Sequence, residues 1–126
     1  MNVTTNEISP LEVCGGAGDP VRLLAGADGP QPLATRPGIS LPLQLVFIPA
    51  QDHAAAIFTV VAETPEGDRR LSTGGLGAVV GGEQFSAVTT IRPSAELAGQ
   101  TVNLRFEVAG DDELEVAARF AVAVAA

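Results

Sequence analysis

The sequence predicts an all-β fold, an antiparallel β-sandwich of immunoglobulin-like or Greek-key type preceded by a Gly/Pro-rich N-terminal arm. Three observations predict it. Apolar residues recur at every second position near the C-terminus, turn residues cut the remainder into runs of strand length, and helical periodicity is almost absent. The 126 residues suit one domain with one core. A hydrophobic content of 46% against 17% charged is enough to offset the entropy of ordering. A barrel is the alternative closure of the same strands.

Taken in order, residues 1–38 are expected to form an arm or short edge strands, because Pro10, Pro20, Pro30, Pro32 and Pro37 recur too often for a helix or a long central strand. The sandwich is expected over 39–126. Leu41, Leu43, Leu45 and Phe47 alternate with Ser40, Pro42 and Gln44, while Val46 and Ile48 add apolar groups to the second face. Residues 54–63 are apolar on both faces, with Phe58 and Val60 on one and Ile57 and Val61 on the other, as in a strand covered on both sides. A short helix over 54–56 competes, but β-branched residues and Phe dominate afterwards. Thr64 to Asp68 reads as a turn and Arg69 to Ser72 as a brief strand. The glycine-rich stretch from Thr73 to Gly82 reads as a mobile loop or bulged strand, and Glu83 to Ile91 as another strand. One helical turn is expected at Ser94 to Ala98, capped by Ser94 and stopped by Gly99.

The C-terminal pair is the clearest. Val102, Leu104, Phe106 and Val108 alternate with Thr101, Asn103, Arg105 and Glu107. Leu114, Val116, Ala118, Phe120, Val122 and Val124 alternate likewise with Glu115, Ala117, Arg119, Ala121 and Ala123. Gly110-Asp111-Asp112-Glu113 joins them as a hairpin turn. The aromatic residues are five Phe, at 47, 58, 85, 106 and 120, all expected in the core.

Composition narrows the function. Fifteen acidic residues against seven basic ones give a formal charge of −8. The basic residues are all Arg and are scattered, so neither nucleic acid nor an anionic membrane is an expected partner. No apolar run approaches the roughly 18 to 20 residues that span a bilayer. Met1 to Pro10 lacks the basic start and apolar stretch of a signal peptide, so a cytoplasmic or particle-assembled location is expected. Cys14 is the sole cysteine and His53 the sole histidine, so no disulfide can close within the chain and no Cys/His metal cluster can form. No cofactor is expected.

Candidate chemistry is sparse, and no enzymatic activity is expected. Asp52-His53 sets an acid beside an imidazole, but adjacent side chains on an extended segment point apart, so a polar loop is the simpler reading. Cys14 precedes Gly15-Gly16-Ala17-Gly18. Asp19-Pro20 follows rather than a helix that could face a phosphate, so a bend with an unreactive thiol is expected. Thr73-Gly74-Gly75-Leu76-Gly77 lacks the lysine of a phosphate loop. Asp111, Asp112, Glu113 and Glu115 could offer oxygens to Ca²⁺, but their spacing departs from the EF-hand pattern and a solvated hairpin tip is favoured.

Surface character remains. Ala117, Arg119, Ala121 and Ala123 form a small-residue strip on the outward side of the last strand, and Val46 and Ile48 extend it to the first long strand. These six are the expected interface. The plan of an arm followed by a sandwich resembles immunoglobulin-like accessory domains and the small decoration and accessory proteins of phage-type particles. That resemblance implies a non-enzymatic assembly module docking onto itself, as a homo-oligomer, or onto a virion-type particle. The alternative is a small apolar-ligand-binding β-sandwich or β-barrel protein, or an enzyme, with its pocket between the sheets.

Overall fold

The computed structural model describes residues 6–8, 11–26, 33–110 and 113–126. Ten strands lie among them: β1 (Asn6–Glu7), β2 (Glu12–Gly15), β3 (Asp19–Ala25), β4 (Leu33–Thr35), β5 (Leu41–Ile48), β6 (His53–Thr64), β7 (Gly67–Val79), β8 (Phe85–Ile91), β9 (Thr101–Gly110) and β10 (Glu113–Val124). They build two stacked sheets. One has the order β1-β3-β5-β8, the other β2-β10-β9-β6-β7, with β4 added beside β10. Every pairing is antiparallel except β4 with β10, which is parallel. The fold is therefore an all-β antiparallel sandwich.

Alternation decides which side chains meet between the layers. β9 follows its pattern throughout: Val102, Leu104, Phe106 and Val108 are buried while Thr101 and Asn103 are exposed. β5 contributes Leu41, Leu43, Leu45 and Phe47 from the opposite sheet, and β6 contributes Ala56, Phe58, Val60 and Ala62. Phe47 packs against Phe85 with ring centroids 6.2 Å apart, and Phe58 against Phe106 at 5.9 Å. Phe85 lies only half-buried at the edge. Ile57 departs from expectation: the outer face of β6 is not covered there and its side chain is 51% exposed.

The described strands of the N-terminal third join both sheets. β3 lies between β1 and β5, and its Leu23 and Ala25 are fully buried, while Leu33 of β4 reaches the same core from the other sheet. Residues 54–56 are strand, not helix, and the glycine-rich stretch belongs to β7, which bulges against β6 around Ala56 and Ile57. A single 3-10 turn at Ala95–Leu97 occupies the expected helical position, although the Ser94 side chain makes no capping bond.

The exposed side of the larger sheet is laced with charge. Arg105 of β9 and Arg119 of β10 are cross-strand neighbours in register, an arrangement that would repel if left bare. Glu63 of β6 lies between them. Its carboxylate accepts from Arg119 Nε at 2.8 Å and Nη2 at 2.9 Å, and from Arg105 Nη1 at 2.5 Å. Glu12 extends the row to β2 through Arg119 Nη1 at 3.0 Å, and Asp68 extends it to β7 through Arg105 Nη2 at 2.7 Å. The Arg119 guanidinium holds the Glu63 carboxyl below its usual range.

Replacing Leu23 by Ala should cost ~2–5 kcal/mol and Phe106 by Ala ~3–5 kcal/mol, read as shifts in urea-unfolding midpoint. Comparable losses are expected because both residues belong to one core; a near-neutral Leu23→Ala would show instead that β3 contributes little to it.

Candidate functional site

Among the described residues, a buried acid–imidazole pair and an open concavity hold groups that the packing of a sandwich does not itself require. In β10 the register against β9 shifts between Leu114 and Val116, so Glu115 is the extra residue of a bulge. The shift reverses the expected phase at the start of the strand. Leu114 turns outward, 39% exposed, and Glu115 turns inward, 2% exposed. A bare carboxylate there would be costly, and three donors meet it. Glu115 Oε1 accepts from the Ala50 amide at 2.8 Å, while Oε2 accepts from the Gln51 amide at 3.2 Å and from His53 Nε2 at 2.6 Å.

Glycines make room for the pair. A Cβ on Gly110 would stand 2.6 Å from His53 Cγ, and one on Gly16 would stand 2.4 Å from the Glu115 carbonyl oxygen, where the backbone also takes a φ of 94°. Burial alone would raise the Glu115 pKa, but the Ala50, His53 and Gln51 donors outweigh it and hold the carboxyl below its ordinary value. His53 thus does stand beside an acid, though not the one next to it in sequence. Asp52 instead accepts from the Gly81 amide at 2.8 Å. With His53 and Glu115 both enclosed, the pair positions backbone and presents no open face to a substrate.

The concavity, of about 550 Å³, lies across one end of the sandwich. Its walls come from both layers: Gly26 beyond β3, Ile39 to Leu41 at the start of β5, Ala34 and Thr35 of β4, Arg36, and Ala125 beyond β10. Backbone bonds hold those walls, from the Gly26 amide to Pro42 O at 2.9 Å, the Ala125 amide to Thr35 O at 2.9 Å and the Gly38 amide to Pro93 O at 2.9 Å. Leu41 is buried at its base and Ile39 is 55% exposed in its wall. Arg36, Ser40 and Thr35 add one cation and two hydroxyls. Its volume lies within the roughly 300–1,000 Å³ of small-molecule sites, and a mostly apolar lining with a few polar groups is their usual chemistry.

The remaining sequence expectations fall as follows. Glu115 does not belong to the acidic hairpin tip, because the bulge carries it into the interior; Asp111 and Asp112 lie outside the described residues, which leaves Glu113 exposed there. The β10 strip is not a free edge, because β2 and β4 pair along its side. Of the six expected interface residues, Ala117 and Val46 are buried within the chain, Arg119 is engaged by Glu63 and Glu12, and Ala121, Ala123 and Ile48 are half-buried. Cys14 is exposed on β2, with desolvation pushing its thiol pKa up against the pull of Arg119, which makes a poor nucleophile. Sequence reasoning missed the concavity because its wall falls where the arm was expected to join the sandwich. The available signal was Ile39, an apolar residue set between Gly38 and Ser40.

No protein-family model and no curated protein matches the chain. Among solved structures it is similar to a Niemann-Pick type C2 protein from the Japanese carpenter ant, with a TM-score of 0.76 and 10% identity over 90% of this chain and 98% of that one. It is also similar to the C-terminal domain of wzt, with a TM-score of 0.64 and 12% identity over 96% of this chain and 81% of that one. At these identities the likeness is one of fold, an immunoglobulin-like β-sandwich.

Removing the Glu115 carboxylate should destabilise the fold by ~3–5 kcal/mol at neutral pH, measured on Glu115→Ala by urea unfolding. Because its folded-state pKa is depressed, the stabilisation from its charge is complete above the ordinary value of 4.5 and is lost as pH falls through the lower folded value. The gap between the native chain and Glu115→Gln should therefore narrow in acid; a gap of constant size would show that the charge is not what matters.

Proposed function

We propose that the chain is a binding protein, not an enzyme, that holds a small apolar ligand with one polar or acidic end in the concavity between the ends of its two sheets. The concavity itself carries the reading. Ile39, Leu41, Ala34 and Ala125 supply an apolar bed that both layers share, and Arg36 with Ser40 and Thr35 supplies the cation and hydroxyls that would fix a carboxylate or other polar end. Leu41 belongs to the continuous core, so a ligand lying over it would extend the packing between the sheets instead of resting on a polar surface.

The fold neighbours support the sandwich on which this reading stands. Neither is named as a particle component, so the virion-type assembly module gains no support from them, while a ligand-binding sandwich is supported by the concavity.

A fluorescent long-chain fatty acid is the probe of choice. It should bind the native chain saturably, and Ala34→Trp, an exposed position in the concavity wall, should abolish binding by filling the space. Arg36→Glu should weaken the acid about tenfold or more, from the loss of a charged hydrogen bond worth ~1.5–3 kcal/mol, and should leave the matching alcohol unaffected. Unchanged binding in Ala34→Trp would overturn the site.

A further inference from the structure

We infer that β8 is a homodimerisation edge, at which two copies of the chain pair antiparallel about Val88 to join their smaller sheets into one. Among the described residues the two sheets have four edges, and three of them are blunted. β1 is two residues long. β2 and β4, with four and three residues, share the side of β10. β7 is long, but it carries Asp68, Arg69 and Arg70, contains Gly74, Gly75 and Gly77, and bulges against β6. Short strands, charges and bulges are the devices that keep sheet edges from pairing with other chains.

β8 has none of them. Its seven residues, Phe85 to Ile91, include no charged residue, no Pro and no Gly, and its register with β5 runs from Phe47↔Phe85 to Leu41↔Ile91 without a shift. On its far side no strand is paired among the described residues, and β7 of the other sheet meets it through side chains, with Ser72 Oγ 2.6 Å from Thr89 Oγ1, leaving the strand's backbone edge unpaired there. Val88, at its midpoint, is 61% exposed, the most of any large hydrophobic residue among those described.

The sequence of the strand also suits its own two-fold partner. One antiparallel register overlaps all seven residues, and it places Val88 opposite the other copy's Val88, Ser86 opposite Thr90, and the half-buried Phe85 opposite Ile91. β-branched and aromatic cross-strand pairs of this kind stabilise antiparallel contacts. Beyond the strand ends the same register sets Arg92 of each copy opposite Gln84 and next to Glu83 of the other, so opposite charges meet at both ends. For a chain of net charge −8, two copies approaching at random repel one another, and pairing along an uncharged strand flanked by one acid, Glu83, and one base, Arg92, adds no like-charge contact to that repulsion.

Sedimentation of the native chain at high micromolar concentration should give twice its 12.8 kDa mass. Val88→Lys, a change at an exposed position, should return it to 12.8 kDa with an unchanged circular dichroism spectrum, while Ile57→Lys on the outer face of the other sheet should leave the dimer intact. In a Cys14→Ser background, Val88→Cys should cross-link to a covalent dimer under mild oxidation and Ile57→Cys should not. A native chain that stays monomeric, or a dimer that survives Val88→Lys, overturns the inference.

Discussion

The carboxylate of Glu115 constrains more of this molecule than any other single group. A charge inside a sandwich persists only if its oxygens are met by donors, and the donors here are two backbone amides and an imidazole from one short stretch, Ala50 to His53. That stretch is the chain's passage from β5 in one sheet to β6 in the other. Meeting the carboxylate therefore fixes where the chain crosses between layers. The bulge that turns Glu115 inward also fixes the register of β10, and the Gly18 amide bonds to Glu115 O at 2.7 Å, tying down the bend between β2 and β3. Two connections and the register of β10 converge on one residue.

A second electrostatic arrangement works on the opposite side of the same sheet by different physics. The Glu12–Arg119–Glu63–Arg105–Asp68 row crosses all five strands of the β2-β10-β9-β6-β7 order, and its charges remain partly wet. Pairs of this kind contribute little singly. Their value here is in register, because two arginines opposed across β9 and β10 are tolerable only while Glu63 of β6 sits between them. The apolar inner face sets which side of each strand is buried, and this row sets which residue stands opposite which.

How legible this was depends on the range of the cause. The β9–β10 hairpin could be read from its residues because the period of two is local, and burial of Val102 through Val108 and of Val116 through Val124 follows from it. The bulge at Glu115 could not, since a single inserted residue reverses the phase without altering the composition on either side. The Glu63 bridge was equally hidden: its partners lie 42 and 56 residues away, and only the strand order brings them together. Prolines in the first third exclude a helix or a long central strand and leave an arm or short edge strands as the local reading. Of the described ones, Pro20 lies inside β3 beside a register shift and Pro37 falls between β4 and β5, and the short strands around them serve both sheets. The wall of the concavity went unread because Ala34, Ile39 and Ala125 meet only once β4, β5 and β10 are in place.

The two ends of the sandwich consequently differ in character. β5 begins at the concavity with Leu41 and ends at Ile48, next to the stretch that Glu115 clamps, while β10 runs the other way, from Glu115 to Val124 and Ala125. At the clamped end, layers and connections are held by a buried charge whose loss would leave donors unmet, so separation of the sheets there is costly. At the other end the walls are held by backbone bonds and by the Arg92 guanidinium, which donates to Ser40 Oγ at 3.2 Å, and exposed Ile39 and Ala34 face the concavity. Apolar surface left uncovered beside a continuous core lowers its free energy by acquiring a cover. Because the clamp fixes the layers at a distance from that surface, a ligand of the proposed kind would find the open end already formed, and the rest of the sandwich would not have to reorganise, which is the condition for binding at small conformational cost.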